Sequence, residues 1–182
     1  NMSSNVLQAI KNLRKNLHNV GSLNNWSKKV LNQGAKVATA AINNFELVEL
    51  SFNDAGERIC KPLSDTNKKG YLVATPEDYI KEYETISSFF NDIGEMARIV
   101  KLEEGVRFEC SNYELEDKDT TTNPVKNGAL VHYDHTSKKF KISNKTAVGT
   151  TGYANAGNQF VVVDKDCVSI DGQSVIRFEV TK

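Results

Sequence analysis

The sequence predicts a mainly β protein, a barrel or sandwich of short antiparallel strands, with an N-terminal α-helical arm. Three observations predict it. Short alternating or β-prone runs recur from Phe45 onward, broken by turn signals at Asn53-Asp54-Ala55-Gly56, Asn91-Asp92-Ile93-Gly94, Glu103-Glu104-Gly105 and Asp171-Gly172. Residues 3–20 instead repeat apolar side chains at helical spacing. Charge divides along nearly the same line. Residues 1–45 hold six Lys/Arg and no Asp or Glu, whereas the rest holds 17 basic and 23 acidic residues in a chain of zero formal charge. Such asymmetry suggests a basic segment that meets an acidic surface.

Taken in order, the arm spans residues 1–40 and the β-rich body residues 41–182. Val6, Ile10, Leu13, Leu17 and Val20 recur at steps of four, three, four and three, with Lys11, Arg14 and Lys15 on other faces. Ser3 or Ser4 can cap this helix and Gly21 ends it. So narrow a stripe suits a helix–helix seam, for instance around a three-fold axis, but it runs under three heptads. Ser22 to Asn32 reads as a second short helix with Trp26, Val30 and Leu31 on one side, broken by Gly34. Lys28, Lys29 and Lys36 complete the basic arm.

In the body, β-prone residues run from Val37 to Phe52. A strand at residues 58–63 precedes a polar loop, and Gly70 opens a strand that Pro76 stops. Residues 77–89 fit a helical turn or an extended edge. Two hairpins follow over residues 90–110, then an exposed polar loop at 116–124. Residues 125–142 read as strand, turn and strand, with the turn at Asp134-His135-Thr136-Ser137. Residues 144–158, rich in Gly, Ala, Thr and Asn, read as a long loop. Residues 160–163 and 175–180 form a closing hairpin.

Reactive chemistry is sparse. Cys60, Cys110 and Cys167 are far apart and odd in number, with no CxxC pair, which fits buried reduced thiols in a protein made in a reducing compartment. His132-Tyr133-Asp134-His135 is the one His cluster; alternation puts His132 and Asp134 on one strand face, and the other histidine, His18, belongs to the arm. A surface hairpin is the expected reading over a metal site. No P-loop, GxGxxG or GxSxG is present, and no cofactor is implied. The apolar runs fall short of the ~20 residues that a membrane span needs. The arm has a single aromatic, Trp26, and no dense basic stripe, so a protein partner is expected over nucleic acid.

Three segments together carry a resemblance: Asn127-Gly128-Ala129-Leu130-Val131, Tyr71-Leu72-Val73-Ala74-Thr75-Pro76-Glu77, and Phe90 to Arg98 followed by Lys101 to Cys110. In that combination residues 45–182 resemble the small virion structural proteins of tailed bacteriophages of low-GC Gram-positive hosts, the capsid-decoration, head-fibre and minor structural types. The chain departs from that pattern in motif order and in Asp92-Ile93, where Glu-Ala is usual. The resemblance implies a non-enzymatic protein of the virion, made in the host cytoplasm, that partners the major capsid protein or other virion proteins. It implies no catalytic residue. A homo-oligomer is expected, a trimer being favoured by a lattice role, with the basic arm as the attachment element. The alternative is a nucleic-acid-associated or carbohydrate-binding β module.

Overall fold

The computed structural model describes residues 19–23, 29–76, 88–116, 125–143, 151–169 and 172–182. Their elements are β1 (Gly21–Leu23), β2 (Ala35–Val37), β3 (Leu47–Phe52), β4 (Arg58–Pro62), β5 (Tyr71–Val73), β6 (Met96–Ala97), β7 (Ile99–Val100), β8 (Arg107–Cys110), β9 (Tyr113–Leu115), β10 (Leu130–Asp134), β11 (Lys139–Ser143), α1 (Thr151–Asn155), β12 (Gln159–Val168) and β13 (Ser174–Val180). They form a seven-stranded sheet of order β1-β8-β13-β12-β10-β11-β9 and a six-stranded sheet of order β6-β2-β4-β3-β5-β7.

Alternation along the strands explains how the sheets pack. In β3, Leu47 joins a core shared with the seven-stranded sheet, while Val48 turns to the opposite face. The shared core holds Leu47, Leu72 and Val100 from one sheet and Phe108, Val131, Phe140, Phe160 and Phe178 from the other. Phe108 is its centre, with ring centroids 5.4 Å from Phe140, 5.9 Å from Phe160 and 5.7 Å from Phe178. Burying each such ring contributes about 1.5–3 kcal/mol. On the other face of the six-stranded sheet, Val37, Val48, Cys60, Val73 and Ile99 form a second buried cluster. That sheet is therefore apolar on both sides at its middle.

Phe45 ties the sheets together in an uncommon backbone conformation. Its φ is 60°, a left-handed value for a buried non-glycine residue. Such a residue costs on the order of 1–3 kcal/mol. Two hydrogen bonds hold it: Phe45 N donates to Val73 O at 2.7 Å, and Asn112 Nδ2 donates to Phe45 O at 2.9 Å.

The body is mainly β, as expected, and several strands and turns fall where the residue pattern puts them. Three expectations are corrected. First, the sheets are mixed, because β2 runs parallel to β4 and β9 parallel to β11. β3 lies within the first connection and β10 within the second, supplying the crossover that parallel neighbours require.

Second, an N-terminal helical arm is not supported among the described residues. The helix expected over residues 3–20 lies outside the described residues except for Asn19 and Val20, which are not helical. The second helix is replaced where the structure describes it. Residues 21–23 form β1 against β8, and Val30 bridges Val100. Gly21 allows this approach, since a Cβ there would lie 1.9 Å from Glu109 O. Backbone pairing and burial of Val20 outweigh a weak local helical preference.

Third, residues 151–155 within the expected loop form the short helix α1. Its Gly152 abuts the His132 ring, with an added Cβ 2.6 Å from Nε2.

Candidate functional site

Among the described residues, an open groove lies at the β6 end of the six-stranded sheet, and it starts from the β3–β4 hairpin. In the β3–β4 turn, Asn53 Oδ1 accepts from Ala55 N at 3.1 Å and Glu57 N at 2.9 Å, while Asn53 Nδ2 donates to Glu57 Oε2 at 2.8 Å. Gly56 supplies the required positive φ of 78°. The turn leaves Phe52 68% exposed. Beside it, Gln33 and Gly34 are both left-handed, at φ 62° and 57°. Arg58 Nη1 spans this loop, donating to Asn32 O at 2.8 Å and Gly34 O at 3.0 Å.

Pairing sets the opposite wall. Lys36 of β2 stands directly across from Met96 of β6, so the two share a sheet face. Lys36 Nζ lies 3.6 Å from Glu57 Oε2. The Glu57 carboxyl is held below its ordinary range, first by the Asn53 amide and then by the Lys36 charge. Together these residues line an open groove of about 550 Å³. Two cations, one carboxylate, an aromatic ring and a thioether make a surface for recognition. Its lining contains no Ser, Cys or His to act as a nucleophile or base.

The residues singled out from the sequence are dispersed. Val6, Ile10, Leu13, Leu17, Lys11, Arg14, Lys15, Lys28 and His18 lie outside the described residues. Val20 is buried, and its N–H donates to Ser111 Oγ at 3.1 Å. Lys29 pairs with Glu103 of the body. Of the two described residues of the basic set, Lys29 and Lys36, it is Lys36 that lines the groove.

The His cluster is likewise committed to packing. His132 is 5% exposed, and burial pushes its pKa down. Asp134 caps its turn through Ser137 N at 3.1 Å and Ser137 Oγ at 2.7 Å. His135 Nδ1 meets Thr66 Oγ1 at 2.9 Å. Among the described residues no group of three His, Cys, Asp or Glu is arranged to hold a metal ion.

Pattern reading missed a buried polar network. Asn44 Oδ1 accepts from Thr75 N at 2.9 Å, and Asn44 Nδ2 donates to Thr75 O at 2.8 Å. Asn91 Nδ2 donates to Ile42 O and Asn44 Oδ1 at 3.0 and 3.2 Å, and Asn91 Oδ1 accepts from Thr75 Oγ1. Elsewhere Asn158 Oδ1 accepts from Gly70 N at 2.7 Å. Each asparagine satisfies backbone from a distant loop, for which an exposed turn asparagine and a buried one carry the same local signal.

The comparisons with known proteins agree on a source. The model of the YonC prophage protein family matches residues 14–181. The chain is 39% identical over 167 residues to the SPbeta prophage-derived uncharacterized protein YonC of Bacillus subtilis (strain 168), covering 90% of each chain. No solved structure matches. The phage origin implied by the turn and strand motifs is therefore shown, at the level of source rather than of a virion part. The protein is phage-derived, and it belongs to the YonC prophage protein family.

Proposed function

We propose that this protein is a non-enzymatic structural component of the phage particle, attached to or decorating the capsid. The observation that carries the reading is a rigid two-sheet body, of prophage family, that leaves Phe52 and Met96 exposed beside a charged groove. Exposed apolar groups rimmed by charge mark contact surfaces. The partner is the major capsid protein or another virion protein, and the location is the virion. Copies of the chain self-associate, a trimer being the order a capsid lattice favours.

Attachment falls to the N-terminal segment, through the apolar stripe of Val6, Ile10, Leu13 and Leu17 and the cations Lys11, Arg14, Lys15 and Lys28. Lys29, Lys36 and Val20 engage the chain's own body, which supports assigning attachment to residues ahead of Asn19. Electrostatics steers such docking, while buried apolar side chains supply most of the affinity.

The test is to tag the chain in its phage, induce particle production, and probe purified particles by mass spectrometry and immunogold microscopy. The chain is expected at fixed stoichiometry in full particles and lost on deletion of residues 1–18. Particles free of the chain sink the reading. Retarded DNA in a gel shift at both low and raised salt, or a positive glycan array, favours the nucleic-acid or carbohydrate module instead.

A further inference from the structure

We propose that the β6 end of the six-stranded sheet is a two-fold contact between two copies of this chain, in which the 92–95 turn of each copy seats in the groove of the other. Of the five exposed large apolar side chains among the described residues, Phe52, Phe90, Ile93 and Met96 lie in the last residue of β3 or in residues 90–96. Among the described residues β6 is the outer strand of its sheet, and its one neighbour is β2. An outer strand with apolar flanks is a surface that folded proteins otherwise cover.

Charge identifies the occupant. The 92–95 turn carries Asp92 and Glu95 around Ile93, which is 57% exposed. Backbone bonds hold it on β2, Gly94 N donating to Val37 O at 2.8 Å and Val37 N to Glu95 O at 2.9 Å, while its tip faces open space: a Cβ added at Gly94, where φ is +89°, would meet nothing within 4 Å. The groove carries Lys36 and Arg58 against the single carboxylate of Glu57, a net positive charge, around Phe52 and Met96. Acidic turn and basic groove adjoin through β6, so one surface holds both halves of a complementary pair. A two-fold rotation about β6 sets each turn against the other copy's groove, satisfying both halves by one symmetric contact. An unrelated partner would explain only one half. This contact is separate from the arm, but it gives a second copy as occupant to the groove on which the virion reading rests; particle content tests that reading and sedimentation tests this one, so the two failures are distinguishable.

The test is sedimentation velocity of the full chain over a concentration series. Ile93→Asp, at an exposed position, is expected to weaken association at least about tenfold by placing a further charge in the apolar contact. Lys36→Glu and Asp92→Lys each do the same by opposing like charges. Mixing those two variants restores opposite charges in both halves, so the mixture associates near wild-type strength. A fold defect would give no such recovery. A chain that remains monomeric at roughly 0.1 mM, association that Ile93→Asp leaves unchanged, or a mixture no stronger than its components overturns the proposal.

Discussion

Replacing Asn44 by alanine is expected to be among the costlier single changes outside the aromatic core. The side chain is 1% exposed and makes three hydrogen bonds, to Thr75 N, Thr75 O and Asn91 Nδ2. Alanine leaves the Thr75 N–H and C=O buried without these partners. An orphaned buried polar group costs about 1–3 kcal/mol, and the lost packing adds roughly 1 kcal/mol. Two such groups and the packing loss sum to about 3–7 kcal/mol, a large part of the ~5–15 kcal/mol that folded domains hold. Asn91→Ala should cost far less. Ile42 O keeps its bond from Asn91 N at 2.9 Å, and Asn44 Oδ1 keeps Thr75 N. Only the Thr75 hydroxyl then loses an acceptor, worth about 1–2 kcal/mol. Urea unfolding followed by circular dichroism measures both variants. An Asn44→Ala loss below about 1 kcal/mol, or a greater loss for Asn91→Ala, would refute the backbone-clamp account.

Three further outcomes are expected. Phe108→Ala removes a fully buried ring with four aromatic neighbours and should cost about 3–5 kcal/mol; thermal unfolding indistinguishable from wild type would contradict its central place. Burial raises the Cys60 thiol to about 11 and the Cys110 thiol to about 12, and also raises the half-buried Cys167. A colorimetric disulfide reagent should therefore titrate Cys167 slowly in the native protein and all three thiols in denaturant; rapid native reaction of Cys60 or Cys110 would count against the packing. Burial lowers the His132 pKa, with Lys141 acting the same way and Glu116 and Asp134 opposing. The unfolded chain thus takes up a proton before the native one does. Stability falls as pH drops from about 6.5 toward the native pKa, by at most about 1.4 kcal/mol per pH unit. The difference in unfolding free energy between wild type and His132→Phe should shift across that window, and a pH-independent difference would contradict a buried neutral imidazole.

The turns were legible in the sequence because their chemistry is local. Asn53 and Gly56 contain what their turn needs, and Gly94 and Gly105 take the positive φ values that their positions require. The β4, β5 and β13 runs follow from β-prone residues between such turns. The phage source was legible too, through the family resemblance carried by those turn and strand segments. The groove was not, since it joins Lys36, Phe52, Arg58 and Met96 through strand order and register.

Tertiary structure alone decided what lies between distant segments. Helical spacing around Val30 and Leu31 gave way to pairing with Val100 and Ile99, residues some seventy positions away. The parallel placement of β2 and β9 depends on what each connection encloses, which no local pattern records. Asn44 and Asn91 became buried clamps rather than exposed turn residues because two loops closed over them. Local sterics and turn hydrogen bonds act within a few residues and can be read from the chain directly. Strand order, register and the burial of polar groups are settled by competition among long-range pairings, and those exist only once the sheets have formed.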